Sequence, residues 1–355
     1  MRRYLFGKKV FLLIGLFSFS FFIFIANKLY KECFREKIKA KKAMVFTLEY
    51  LKKGGSSYLK RYKFTQLISF SNDNYLLENE KEKLVVRIPS KTTNLFVDRR
   101  DEYNNNMLSK NAGLSPLEIL YFDKNSGNQV TKYLKNAIFL PLDNFKKNDV
   151  IQRVALLLKK VHESSLNFEN TYDPFEQLQK LFDYYKSKKE RIIEPLEDAY
   201  RNILRVRDVF YNSYFDKKPC HNDAIFCNFA LINNSFTLID WEYSGNCDPA
   251  WDLTCFSSIL ALSDEKENFL VNTYDFNASK LNKAKIAFFK PLFYLKACLW
   301  AALQIEENSV KLTKEEWNLL LSENFKKYKQ SIESENFKSA LIFLEDENIK
   351  NKVHQ

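Results

Sequence analysis

The sequence predicts an α+β protein of two lobes, a small antiparallel β lobe followed by a mainly helical one, with a membrane-spanning helix in front. Three observations carry that reading. Short β-rich runs separated by polar turns occupy residues 64–89. Beyond residue 137 the apolar positions recur at helical spacing, as at Ile151, Val154, Leu158 and Val161. An uncharged apolar run from Val10 to Ala26 precedes both. A chain of 355 residues is long enough to bury the cores of two lobes. Its 46% apolar content, with 32 Phe and 19 Tyr, makes it globular rather than disordered.

Composition also removes several function classes. The net charge of +11 accompanies a general richness in Lys and Asn. No nucleic-acid-binding signature, zinc spacing or internal repeat goes with it, so no nucleic-acid partner is expected. The six cysteines (33, 220, 227, 247, 255 and 298) form no C-x-x-C pair, which fits reduced thiols in a cytosolic compartment.

Taken in order, residues 1–27 read as a membrane anchor. The run of seventeen uncharged residues is at the short end for a span, and a cleaved signal peptide is the rival. The small-x-small cleavage word is absent, which favours the anchor. Four basic residues precede the run (Arg2, Arg3, Lys8, Lys9) and seven follow it closely (Lys28, Lys31, Arg35, Lys37, Lys39, Lys41, Lys42). The positive-inside rule then puts the rest of the chain in the cytoplasm, on a single-pass cell-membrane protein. Translation from Met44 would instead leave a cytoplasmic protein without the anchor. Residues 28–61 form a basic juxtamembrane linker. Residues 62–136 form the β lobe, with strands expected at 66–70, 75–77 and 84–88, and a hairpin from Tyr121 to Leu134 turning at Asn125-Ser126-Gly127. Residues 137–350 form the helical lobe, with helices expected at 175–185, 192–210 and 291–306.

The chemistry concentrates between Cys220 and Leu253, in CHNDAIFCNFALINNSFTLIDWEYSGNCDPAWDL. Phosphoryl transfer of the kinase type needs an Asp that orients the acceptor hydroxyl and takes its proton, an Asn five residues later on a metal, and a second metal-binding Asp on a following strand. Asp223, Asn228 and Asp240 satisfy that order. Asn228 leads into an apolar run, Asn233-Asn234-Ser235 signals a turn, and a second run ends at Ile239, so a hairpin would return Asp240 beside Asn228. Both offer hard oxygen donors suited to Mg²⁺. His221 has no Ser or Cys partner for nucleophilic work and reads as a structural residue of the loop. Asp252 is expected to fix that loop, and Asp248 to cap a helix beginning at Pro249.

The words CHNDxxxxN, IDWEYSG and DPxxDL resemble those of the choline/ethanolamine kinase family, in the bacterial choline-kinase branch of the aminoglycoside-phosphotransferase-like kinases. The resemblance covers roughly residues 64–330. It implies a two-lobed protein-kinase-like fold, ATP and Mg²⁺ as cofactors, and phosphorylation of a small amino alcohol, choline first. Ethanolamine, thiamine or an aminoglycoside are alternative acceptors, and a non-catalytic nucleotide- or ligand-binding pseudokinase is the alternative outside enzymes. By the same resemblance Ser71 and Asn72 lie on the phosphate-covering hairpin, Arg87 contacts nucleotide phosphates, and Glu102 pairs with Arg87. Residues 134–137 would be the hinge receiving adenine. Glu242 and Trp300 would line the acceptor site with Asp223, near Gln304, and His162 is a structural helix-end residue. Two departures stand out. The phosphate hairpin lacks both family glycines, which normally let backbone N–H groups approach phosphate. Ala297 stands where a first acceptor-site tryptophan would be, so Trp241, Tyr243 or Tyr294 would have to supply that wall.

Overall fold

A computed structural model describes residues 62–353 apart from 68, 70, 189–193, 213–214, 308 and 310, together with Lys41 and Val45. The expected anchor at 1–27 and nearly all of the 28–61 linker lie outside the described residues.

The first lobe is a five-stranded antiparallel sheet of β1 (Lys63–Leu67), β2 (Asp73–Glu78), β3 (Lys83–Ile88), β4 (Ile119–Phe122) and β5 (Gln129–Lys132), in the order β1-β2-β3-β5-β4. β1 lies earlier than expected, and before β2 the Ser69 hydroxyl bonds the Asn72 carbonyl. Strand alternation does the sorting. Leu84 and Val86 face a small core with Tyr75, Leu77 and Val130, so Arg87, next after Val86, points the other way, toward the second lobe. After the short helix α1 (Thr93–Phe96), α2 (Arg99–Asn111) starts where the Asp98 carboxylate accepts the Arg100 and Asp101 amides. Its buried residues are all polar: Arg99, Glu102, Asn105, Asn106 and Ser109. That is the reverse of an ordinary amphipathic helix, and it faces the site.

The second lobe contains α3 (Asn148–His162), α4 (Pro174–Ser187), α5 (Glu194–Asn212), α6 (Pro249–Ile259), α7 (Asp264–Tyr274), α8 (Ser279–Glu306), α9 (Lys314–Ile332) and α10 (Glu335–Val353). Ile151, Val154, Leu158 and Val161 of α3 are fully buried, as their spacing requires. Two small hairpins carry the functional word, with β6 (Lys218–Cys220) paired to β9 (Gly245–Cys247) and β7 (Phe229–Ile232) paired to β8 (Ser235–Leu238).

α8 is longer than the sequence suggests, since Pro291 sits inside it rather than at its start. A proline forfeits one helical hydrogen bond. Here Ile286, Phe288 and Phe289 before it and Leu292, Leu295 and Leu299 after it are all buried, so packing on both sides carries the helix through. α8 is long and apolar enough to cross a membrane (mean hydropathy 1.5), but 72% of that stretch is buried as the spine of this lobe.

The lobes meet at several points. Just past the first lobe, Ile138 exchanges backbone hydrogen bonds of 2.9 Å with Leu231 and so ties the connecting segment to β7. Glu307, just past α8, accepts from Thr92 Oγ1 in the first lobe and from Tyr184 Oη on α4, both at 2.5 Å.

Candidate active site

The loop after β6 is shaped by one buried carboxylate. Asp252, in the first turn of α6, accepts the backbone N–H of His221 (2.8 Å) and of Asn222 (2.7 Å), and Nε2 of His162 (3.0 Å). Tyr274 bonds the other nitrogen of His162, so that histidine holds Asp252 from behind. The His221 ring is itself buried, with Nε2 on the Ile239 carbonyl at 2.9 Å, tying the loop to the strand that delivers Asp240. Asn222 and Asp240 take left-handed backbone angles, φ +63° and +64°. Non-glycine residues pay about 1–2 kcal/mol for that conformation. Asn222 is held there by donating to the Tyr243 and Gly245 carbonyls. Asp248 caps α6 through the Ala250 amide and is ion-paired with Lys285 at 2.6 Å, a partner with no signal in the local sequence.

The β7–β8 turn has Asn233 and Asn234 both at positive φ, the conformation a two-residue hairpin favours. The ladder continues past β8, with the Ile239 amide on the Asn228 carbonyl at 3.0 Å, so Asp240 returns alongside Asn228. The Asn228 amide group donates to the Asp223 backbone carbonyl (2.8 Å) and to its carboxylate (2.9 Å). Both donors are thereby used, and the carboxamide oxygen is what Asn228 can offer a cation. Burial pushes the Asp223 carboxyl upward in pKa and Asp240 adds to the rise. The charge of Lys296, His221 and the Asn228 hydrogen bond oppose it.

Across the cleft sits a charged cluster. Arg87 bonds Glu102 and Asp240, the latter at 3.1 Å, and approaches Glu242 at 3.7 Å. Arg99 bonds Glu102 at 2.6 Å and Glu242 at 3.2 Å. Gly127, at φ +72°, passes so close to the Arg99 guanidinium that a Cβ would collide with it, and its carbonyl accepts from Arg87 at 3.3 Å. Burial, and the Asp240 charge after it, raise the Glu242 carboxyl to about 8 in spite of the two arginines. Arg87 Nε and Arg99 Nη2 are buried without a partner among the described residues. The cluster therefore keeps N–H groups to offer an anion such as phosphate. Glu102, Asp240 and Glu242 each bring a carboxyl oxygen within 4.8 Å of the others, beside the two guanidiniums. With the Asn228 oxygen nearby, this hard-oxygen set fits Mg²⁺.

Several residues stand elsewhere than expected. Glu242 is buried among Arg87, Arg99 and Asn72, two guanidiniums being strong partners for a desolvated carboxylate. Asn72 is buried with its amide on Glu242 (3.2 Å), and Ser71 is half-buried on the same turn. Lys311, after α8, holds the glycine-free turn by bonding the Asn72 carbonyl at 2.9 Å, the Ser69 hydroxyl and Asp73. Trp241 is packed against His221 and Phe168 in the core, and Tyr294 directs its hydroxyl to the Ser258 carbonyl. Trp300 is half-buried against the core of the helical lobe. Tyr243 does stand by the loop, with Tyr172 and with Trp251, whose indole N–H reaches the Asn222 carbonyl at 3.3 Å. A cavity of about 860 Å³ among α7, α8, α9 and α10 contains none of the loop residues.

Sequence reasoning missed Arg99 and Lys296. Arg99 is readable after the fact as the i, i+3 partner of Glu102 on one helix face. Lys296 had a weaker signal, a charge within the apolar stretch of α8.

The profile of the family described as choline/ethanolamine kinase matches residues 59–339. The LicA protein of Haemophilus influenzae is 29% identical over 227 residues, which cover 62% of this chain and 65% of that protein. The chain thus spans slightly less than two thirds of that relative. The crystal structure of the choline kinase LicA from Streptococcus pneumoniae superposes with a TM-score of 0.66 at 25% identity, over 77% of this chain and 96% of the other. A LicA crystal structure in complex with AMP superposes equally well (TM-score 0.66, 25% identity), over 76% of this chain and 92% of the other. A profile match running from the β lobe through the Asp223 loop to the closing helices places the chain in the choline/ethanolamine kinase family.

Proposed function

We propose that this protein is an ATP-dependent phosphotransferase acting on the hydroxyl of a small amino alcohol, with choline as the first candidate. The observation that carries the reading is the pairing of Asp223, held by Asn228, with Asp240 returned beside them and braced by Arg87. Asp223 orients the acceptor hydroxyl and receives its proton, a task eased by the upward shift that burial gives it. Arg87, fixed by Glu102, and Arg99 supply N–H groups to the phosphates, and the AMP bound to a related LicA supports a nucleotide in this cleft. Mg²⁺ held by Asp240 and Asn228 would neutralise phosphate charge. The catalytic work left to the chain is positioning and electrostatic stabilisation.

Choline is favoured over ethanolamine, thiamine or an aminoglycoside by the name of the pneumococcal relative and by the rings of Tyr172, Tyr243 and Trp251 beside the loop. The pseudokinase alternative draws on the glycine-free turn, whose Asn72 side chain is occupied by Glu242. The test is ATP consumption with Mg²⁺ across those acceptors. Wild-type turnover of choline, lost by at least about 100-fold in Asp223→Ala and Asp240→Ala proteins that keep their circular dichroism, is the expected result. Full activity in either variant would overturn it.

The 1–27 segment is proposed to anchor the enzyme in the cell membrane with its catalytic part in the cytoplasm. Carbonate-resistant sedimentation of the full chain, lost when translation starts at Met44, is expected. Full extraction by carbonate would remove the anchor.

A further inference from the structure

Beside the loop, the ammonium of Lys296 on α8 stands among three aromatic rings. Its Nζ is 5.1 Å from the centre of the Tyr243 ring, 5.5 Å from that of Tyr172 and 5.8 Å from that of Trp251. The one hydrogen-bond acceptor recorded for it among the described residues is the Tyr172 hydroxyl, at 2.9 Å, and no carboxylate lies within ion-pair distance. Lysine ammonium groups are strongly hydrated and ordinarily reach for water or a carboxylate. This half-buried one is instead received by the negative faces of rings, the chemistry that recognises alkylammonium ligands. The three rings come from different places: the loop before α4, the segment after Asp240, and α6. All adjoin the Asp223 loop, since Trp251 bonds the Asn222 carbonyl, Asn222 bonds the Tyr243 carbonyl, and the Lys296 charge acts on Asp223 itself.

We propose that Lys296 is an internal competitor, filling the place of the acceptor's ammonium head beside Tyr172, Tyr243 and Trp251 until the acceptor displaces it. The inference rests on the amino-alcohol reading above and adds a determinant of affinity to it. Two cations cannot share the box, since unit charges at such separations repel strongly outside bulk water. An incoming quaternary ammonium must push the lysine out, and the half-exposed position on a four-carbon stem gives it somewhere to go. Lys296 thereby weakens acceptor binding and favours acceptors able to gain more from the three rings than a primary ammonium does.

The experiment uses tetramethylammonium, which carries the cation without a hydroxyl, and needs no turnover. In wild-type protein, labelling of Lys296 by an amine-acetylating reagent, followed by mass spectrometry, is expected to rise when tetramethylammonium is added. Unchanged or reduced labelling overturns the proposal. In calorimetry, Lys296→Met is expected to bind tetramethylammonium roughly 10- to 100-fold more tightly than wild type, while Lys296→Arg keeps the weak affinity. Adding Tyr243→Leu to Lys296→Met should reverse the gain. Equal or weaker binding by a folded Lys296→Met protein also overturns it. The two readings separate cleanly. Tighter tetramethylammonium binding without phosphorylation of any amino alcohol would sink the activity and keep the box. Turnover of choline with a KM that rises in Lys296→Met would keep the activity and sink the competitor.

Discussion

Asp252 shows how much one side chain can organise. It is fully buried and receives two loop amides and an imidazole, so three separate donors depend on it. Removing a shared acceptor from a dry site leaves each donor unsatisfied, at a cost of about 1–3 kcal/mol apiece. Asp252→Ala is expected to lower stability by about 3 kcal/mol or more in urea denaturation, and to reduce turnover at temperatures where the protein is still folded. A midpoint within error of wild type would show that water replaces the carboxylate. The sequence pointed to Asp252 as the loop's anchor, because its place in DPxxDL fixes it on the helix that follows. The same sequence gave no means of seeing that Glu242, two residues from Asp240, would be held by two arginines. Arg99 and Arg87 arrive from separate elements more than 140 residues away, and no local pattern encodes a meeting of that range.

At the level of elements, legibility followed the strength of the local code. The turn Asn233-Asn234 was readable because asparagine tolerates positive φ, and both residues adopt it. The α3 stripe was readable because a period of 3.6 has few rivals over that length. The start of α8 was not, because Pro291 is a strong local stop that buried neighbours on both sides override. The hairpin also carries a function that depends on its geometry, since its register sets where Asp240 lands relative to Asn228. Asn234→Gly is expected to be nearly neutral, whereas Asn234→Val should cost about 1–2 kcal/mol. The valine variant should also need more Mg²⁺ for half-maximal rate. Equal metal dependence in both variants would separate the turn from the site.

For the molecule as a whole, the telling surface is the buried side of α2. A helix usually docks through apolar side chains, but this one presents Arg99, Glu102, Asn105, Asn106 and Ser109 to its surroundings. Its contacts reach the second lobe as hydrogen bonds, including Asn105 Nδ2 on the Ser244 carbonyl at 2.9 Å and Arg99 on Glu242. Separating the lobes along this seam would wet polar groups and little hydrocarbon. Heat capacity and denaturant sensitivity both track the surface uncovered, and polar exposure contributes to heat capacity with the opposite sign from apolar exposure. Native-state hydrogen exchange should therefore find α2 amides opening by a route nearly independent of low urea, while amides of α8 exchange only through steeply urea-dependent global unfolding. Identical urea slopes in the two helices would mean the lobes come apart only when everything does. With such a seam, the cleft would open and close at nearly constant hydrophobic cost, so the cycle of admitting and releasing ligands would proceed with almost the same ease in the cold as in the warm.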